Sequence, residues 1–188
     1  MEKKQKFIVM AMVMLLITTL FCHFVKKASC ADSDQWLQAH NNYRALHGVP
    51  PVTWNATIAA RAQSWANTCP SDHSPKGSIY RPYGTGENIA WAPWSQTVQG
   101  VVKRWYDEVT ECPYPYGEAG FDMCWGHFTQ VVWKNTTQIG CGCKNGCTGW
   151  YSVCVCQYEP SGNYPGQFEE NVFPPRKTPV WLFPLLLD

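Results

Sequence analysis

Charge is scarce in this chain: Asp, Glu, Lys and Arg together supply 15% of 188 residues and nearly cancel to a net +1. No basic patch is present, which argues against a nucleic-acid surface built on phosphate neutralisation. No serine or cysteine lies in the motif of an activated nucleophile. The closing apolar stretch, Val180 to Leu187, is too short to cross a bilayer. Cys141-Gly142-Cys143 and Cys154-Val155-Cys156 lack the two-residue spacer of a zinc knuckle.

What is present begins with a leader. Met1 to Lys6 is short and basic, Phe7 to Cys22 is apolar, and Ala28, Ser29 and Ala31 are small, the order of a secretory signal peptide cleaved after Ala31. The apolar run is long enough to leave an uncleaved N-terminal anchor as the alternative. Loss of a leader with five Lys and one Glu takes the net charge from +1 to −3. Residues 32–188 suffice for one domain with a hydrophobic core, and not comfortably for two. Behind a leader, the even set Cys69, Cys112, Cys124, Cys141, Cys143, Cys147, Cys154 and Cys156 reads as disulfides, with zinc ligation as the rival. Asn55-Ala56-Thr57 and Asn135-Thr136-Thr137 are glycosylation sequons.

Periodicity supplies the elements. Trp36, Leu37, His40, Tyr43 and Arg44 recur at helical spacing from Asp34, and Gly48 should stop that helix ahead of Pro50 and Pro51. Asn55 is a cap for a second helix over Ala56 to Ala66, whose small residues permit close packing. After a loop from Cys69 to Gly86, Ser95 opens a third helix with Val98, Val101, Val102 and Trp105 on one face. Cys112 to Trp125 is an aromatic loop rich in Pro and Gly. Thr137 to Cys143 and Trp150 to Tyr158 have strand composition around a Gly-rich connection, which predicts an antiparallel hairpin. The segment from Phe168 to Asp188, with four prolines, reads as irregular.

Gly126 to Trp133 sets His127 a few residues before the apolar triplet Val131, Val132 and Trp133, so the imidazole should be held at the mouth of something anchored to the core. Two histidines, His73 and His127, and two carboxylates, Glu87 and Glu108, could hold a divalent cation, the histidines as ligands and the carboxylates orienting them. The same four could perform acid and base work, or stand as solvated loop and helix-end residues.

Gly-His-Phe-Thr-Gln-Val-Val-Trp-Lys-Asn-Thr at Gly126 to Thr136 resembles the first signature of the CAP superfamily, which contains pathogenesis-related family 1 proteins, cysteine-rich secretory proteins and venom allergens. Cys156-Gln157-Tyr158-Glu159-Pro160-Ser161-Gly162-Asn163-Tyr164 resembles the second. Further matches lie at His40-Asn41-x-x-Arg44, Gly86-Glu87-Asn88-Ile89-Ala90 and Trp105-Tyr106-Asp107-Glu108. The resemblance implies an α+β fold, an α-β-α sandwich with a small antiparallel sheet between helical layers. It divides the chain into a signal peptide (1–31), a CAP domain (32–167) and a Pro-containing tail (168–188).

It also implies a cleft lined by His73, Glu87, Glu108 and His127 that takes Zn or Mg without requiring either. The aromatic loop resembles that of the sterol-binding fungal members, which makes Tyr114, Tyr116, Phe121 and Trp125 candidate contacts for a sterol or related small lipid, microbial membrane sterols among them; packing of these rings on the domain's own surface is the alternative. The family pattern implies bridges Cys112–Cys124, Cys69–Cys141 and Cys147–Cys156, leaving Cys143 and Cys154 to pair across the hairpin. The functional expectation is a secreted, extracellular, monomeric binding protein acting in defence, with no nucleic-acid partner and no catalytic residue. A metal-dependent hydrolase and a protein- or glycan-recognition module are the rival readings.

Overall fold

The computed structural model describes residues 32–117 and 121–176. The leader, its cleavage point and residues 177–188 lie outside the described residues.

Helix α1 (32–46) turns Trp36, Ala39, His40 and Arg44 inward, the i, i+3, i+4, i+8 stripe of a half-buried helix. It ends at Gly48, whose φ of 67° is the left-handed conformation that glycine adopts without steric cost. The short strand β1 (Thr53–Trp54) follows, then α2 (Ala56–Asn67). Asn55 caps α2 as its side chain predicts, its Oδ1 accepting from the backbone N–H groups of Thr57 (2.9 Å) and Ile58 (3.3 Å).

Strands β2 (Gly86–Ala92), β3 (Gln138–Asn145) and β4 (Ser152–Glu159) form an antiparallel sheet in the order β3-β4-β2, and β1 adds to the far side of β3 in parallel. The hairpin was legible in the sequence; β1 and β2 were not. β1 is two residues long, and β2 is buried on both faces. Glu87, Ile89 and Trp91 point one way and Asn88, Ala90 and Ala92 the other, so no polar-apolar alternation marks the strand.

Helix α2 covers one face of the sheet, packing Ala62 and Ala66 against Ile89, Val153 and Val155. Glycines on β3 permit the close approach. A Cβ on Gly140 would lie 2.1 Å from the Ala59 backbone nitrogen, and one on Gly142 would lie 2.6 Å from the Gln63 Cα. On the opposite face, α1, α3 (Val98–Glu111) and α4 (Gly126–Val132) bury Trp36, Val101, Val102, Trp105, Phe128 and Val131 against Cys141, Cys154, Cys156 and Tyr158. The result is an α-β-α sandwich.

Two local expectations need correction, and one segment to which no element was assigned is a helix. Helix α3 starts later than Ser95, because Thr97 is the residue whose hydroxyl accepts from the Gly100 N–H (3.1 Å). The Gly126 octapeptide is itself helical; five of the seven α4 residues are buried, which erases the one-sided pattern that marks a surface helix. The segment after Gln167 opens with the short helix α5 (Phe168–Asn171) rather than an irregular tail. Phe168 meets Trp133 edge-on with ring centroids 5.2 Å apart, and Val172 also enters the core.

The disulfides are Cys69–Cys147, Cys112–Cys124, Cys141–Cys156 and Cys143–Cys154. The implied Cys112–Cys124 and Cys143–Cys154 pairings agree with this; Cys69–Cys141 and Cys147–Cys156 do not. The strand register decides the matter. Cys141 stands directly opposite Cys156, and Cys143 opposite Cys154, each pair with Cα atoms 4.1 Å apart. Cys147, beyond the end of β3, is left to reach Cys69 just past α2, at a Cα separation of 5.5 Å.

Candidate functional site: a histidine-carboxylate cleft

Glu87 lies early in β2, opposite Gln157 of β4, and points to the α2 side of the sheet, where the loop after α2 brings His73 and Ser74 onto it. Its carboxylate accepts from His73 Nδ1 (2.9 Å), the Ser74 N–H (2.9 Å), the Ser74 hydroxyl (2.5 Å) and Gln157 Nε2 (2.9 Å). Burial pushes the Glu87 pKa up, but the four donors together outweigh it and hold the carboxyl below its ordinary range. Arg81 stands nearby, with Nη1 3.7 Å from Glu87 Oε1.

Glu108 approaches from the other helical layer. Its Oε2 accepts from the backbone N–H groups of His127 (2.9 Å) and Phe128 (3.0 Å), the opening amides of α4, and its Oε1 is 2.5 Å from His127 Nδ1. Helix α4 has no side-chain cap of its own, so Glu108 supplies from α3 the acceptor that its first turn lacks.

The two imidazoles therefore face the cleft in the same manner, each with Nδ1 against a carboxylate. A cavity of about 120 Å³ between them is lined by His73, Glu87, Asn88, Phe121, Met123, His127 and their neighbours. Glu108 does not line it. A larger opening of about 570 Å³ continues past Lys76, Arg81, Tyr83 and Tyr164. A carboxylate on one ring nitrogen fixes the tautomer and leaves the other nitrogen with a free lone pair, the donor chemistry that a divalent cation takes. Among the described residues no three His, Cys, Asp or Glu side chains converge as a ready-made metal site.

Behind the cleft runs a buried relay. His40 Nδ1 donates to the Trp36 carbonyl (2.8 Å), and its Nε2 accepts from the Tyr158 hydroxyl (2.9 Å). Asn88 Nδ2 donates both to the Tyr158 oxygen (3.2 Å) and to the His127 carbonyl (3.1 Å). Asn163 closes the rim, donating to the Gly126 carbonyl (2.8 Å) and accepting from the Thr129 hydroxyl (2.7 Å). Ser74, Asn88, Gln157 and Asn163 were not read as site residues from sequence. Three of them lie inside the two motifs that carried Glu87 and the second signature, so motif membership was the available signal.

The aromatic loop divides. Tyr114 is only 5% exposed and packs edge-to-face on Tyr116, Trp125 and Phe128, so it is a core residue. Tyr116 and Trp125 are half-buried against the same cluster. Burial raises the phenol pKa of Tyr114 and Tyr116 to about 12. Phe121, 54% exposed, faces the cavity beside Met123, which is 84% exposed and carried no sequence signal. The two sequons also differ: Asn135 is exposed, whereas the Asn55 amide donates to Gln138 Oε1 (2.8 Å) while its oxygen caps α2.

Helices on both faces of a small disulfide-bridged sheet, with two carboxylate-held histidines in one cleft, define a CAP-type protein. A model of the CAP family, the cysteine-rich secretory protein family, matches residues 37–158, and the chain belongs to that family. Golgi-associated plant pathogenesis-related protein 1 from Homo sapiens is 40% identical over 158 residues, covering 81% of this chain and 99% of that protein. The basic form of pathogenesis-related protein 1 from Nicotiana tabacum is 36% identical, with coverage of 78% and 81%. Protein PRY2 from Saccharomyces cerevisiae is 39% identical over 76% of this chain, but the match spans only 41% of the yeast protein. Among solved structures, the crystal structure of NaASP2 with Zn2+ superposes with a TM-score of 0.64 at 23% identity, covering 78% of this chain and 86% of that one, a likeness of fold.

Proposed function

We propose that this chain is a secreted, monomeric binding protein whose cleft-side loop takes a sterol or a related small lipid, in the context of defence against microbes. The observation that carries this reading is the pair Phe121 and Met123, two large apolar side chains left mostly in water at the edge of the cavity. Exposed apolar groups beside a concave surface are the usual mark of a ligand edge, and a rigid sterol plate would remove both from water. The resemblance of the loop to that of sterol-binding fungal members supports the same choice. Binding is preferred over catalysis by a side-chain nucleophile because the Ser74 hydroxyl, the hydroxyl held in this constellation, donates to Glu87 and not to an imidazole.

Labelled sterol should bind the wild-type protein saturably, and Phe121→Ala and Met123→Ser should each weaken it by about tenfold, the scale of losing most of one large apolar contact. Tyr114→Ala is the wrong probe, because it opens the core. Absence of saturable binding above a control protein would remove the reading.

The cleft is assigned a divalent cation held by His73 and His127, with Glu87 and Glu108 orienting them; such an ion would supply positive charge at the cavity floor. Metal analysis after equilibration with zinc should show the ion in wild type and its loss in His73→Ala and His127→Ala. Equal metal in all three proteins would reject these ligands.

A further inference from the structure

A second group of exposed aromatic side chains lies at the opposite end of the sheet from the cleft. Glu87 is near the start of β2, whereas Ala92, paired with Ser152, is at its end. Just past that end Trp94 is 62% exposed, and on the facing β3–β4 connection Trp150 and Tyr151 are 45% and 48% exposed. Trp91 joins them, its ring centroid 6.4 Å from that of Trp150 and the two planes inclined at 42°.

The rings are held on a stiff support. Cys69–Cys147 ties the connection to the end of α2, Cys143–Cys154 closes the ladder beneath it, and Trp91 Nε1 donates to the Pro70 carbonyl (2.7 Å). Inside the connection, the N–H groups of Gly146 and Cys147 both donate to the Tyr151 carbonyl.

The strand segments and the helix start that build this end contribute cations and no carboxylate, with exposed Asp72 on the adjoining Pro70 loop. From Asn88 to Tyr106 and from Met123 to Tyr158 the chain contains no Asp or Glu. Those two stretches build β2 beyond Glu87, the start of α3 and the hairpin up to Tyr158, leaving Glu159 at its far, cleft-side end. Exposed Lys144 lies on the hairpin. Exposed Arg104 donates to Gln96 Oε1, while Gln96 Nε2 donates to the Ser152 hydroxyl (2.7 Å), which sets Arg104 beside the same end. Lys103 is paired with Asp107 (2.5 Å). For a chain with so small a net charge, an end with exposed aromatics, cations and no carboxylate from its main segments is a marked asymmetry.

Trp and Tyr combine an apolar ring with one polar group and partition to the headgroup level of a bilayer, while Lys and Arg are drawn to anionic lipid. Inclined rings on a turn suit insertion between headgroups better than stacking along a flat polysaccharide face. We infer that this end of the molecule docks on an anionic lipid bilayer, with Trp94, Trp150 and Tyr151 entering the headgroup layer and Lys144 and Arg104 meeting lipid phosphates. Among the described residues no helix is long and apolar enough to cross a membrane, so the contact proposed for this end is made by the rings and cations alone.

Sedimentation of the secreted chain, from Asp32 to Asp188, with phosphatidylcholine vesicles, with and without phosphatidylglycerol, tests this. The protein should sediment with the mixed vesicles, and less so with phosphatidylcholine alone or at high salt. The exposed-site double variant Trp94→Ser, Tyr151→Ser should partition about tenfold less at an unchanged thermal midpoint. Lys144→Ser with Arg104→Ser should lower partitioning on the mixed vesicles alone. The vesicles contain no sterol, so the result is independent of the loop reading above. The inference is overturned by wild-type protein that stays in the supernatant, by equal partitioning of wild type and the aromatic variant, or by retention on cellulose or chitin, without vesicle binding, that the aromatic variant loses.

Discussion

Arg44→Met should lower the unfolding free energy by about 4 kcal/mol, the largest single-residue effect expected in this protein. The guanidinium is fully buried in α1 and faces carbonyls. Nε donates to Pro50 O (2.8 Å), Nη1 to Val131 O (3.0 Å) and Trp133 O (2.8 Å), and Nη2 to Thr136 O (2.9 Å), with Lys134 O at 3.5 Å. Burial lowers its pKa to about 10, so it remains charged at neutral pH, stabilised by main-chain dipoles at the C-terminal end of α4 and the turn after it. Methionine keeps much of the volume but removes the guanidinium from the buried carbonyls of Val131, Trp133 and Thr136 and from the Pro50 carbonyl at the surface, each a loss of about 1 kcal/mol. The Trp133 carbonyl keeps the Thr136 N–H. Arg44→Lys should recover only part, because an ammonium cannot reproduce the planar fork that reaches four separate acceptors. The shift in urea midpoint at constant slope measures both. A loss below about 1 kcal/mol for Arg44→Met would mean that water replaces the guanidinium and that the carbonyl cluster is not what holds this turn.

Acid should destabilise the protein well before its carboxylates titrate. His40 is fully buried, and burial, aided by Arg44 and opposed by the hydrogen bond to Trp36, lowers its pKa to about 4 from an ordinary 6.5. Above about pH 6.5 neither folded nor unfolded chain protonates this ring, and the full stability is present. As the pH falls from about 6.5 to about 4 the unfolded chain takes up a proton that the folded chain refuses, so stability is lost through that window, by about 3 kcal/mol in all. Burial also lowers the His47 pKa, which adds loss of the same sign. Glu87, held below the carboxyl range, contributes stability that is present above the ordinary carboxyl pKa and lost only as the pH falls through its own lower value. Unfolding free energies measured at intervals from pH 7 to pH 4 should therefore fall steeply in wild type and less steeply in His40→Gln, which has no ring to protonate. Parallel curves for the two proteins would show that His40 is not the group responsible. Because His40 holds the Tyr158 hydroxyl, and Asn88 links that oxygen to the His127 carbonyl, its protonation also loosens the support of the cleft.

Legibility followed the physics of each segment. Helix α2 announced itself through Asn55 and a one-sided pattern, and the hairpin through composition and a Gly-rich turn. α4 and β2 were hidden because burial on every side removes periodicity, which is the quantity a sequence displays. The inward place of Arg44 was readable from its spacing with Trp36 and His40, but its acceptors include carbonyls 87 to 92 residues further along the chain, beyond any local signal. His73 and Glu87 were named as parts of one constellation, yet the four-donor shell around Glu87 depends on a loop that returns to the sheet edge and on the register that sets Gln157 opposite it.

The main helices and the even set of eight disulfide-forming cysteines were determined by the sequence alone, because each rests on residue type at short range, and CAP membership by two motifs. His73, Glu87, Glu108 and His127 were named through the likeness of the motifs, not through their spacing. Tertiary structure decided which cysteine meets which, since pairing follows strand register and a shift along a strand changes every cross-strand partner. It also decided which aromatic rings are available to a ligand. Tyr114 and Phe121 belong to the same loop, but only Phe121 and its neighbour Met123 remain in water, because the loop folds back so that Tyr116, Trp125 and, from the start of α4, Phe128 close around Tyr114.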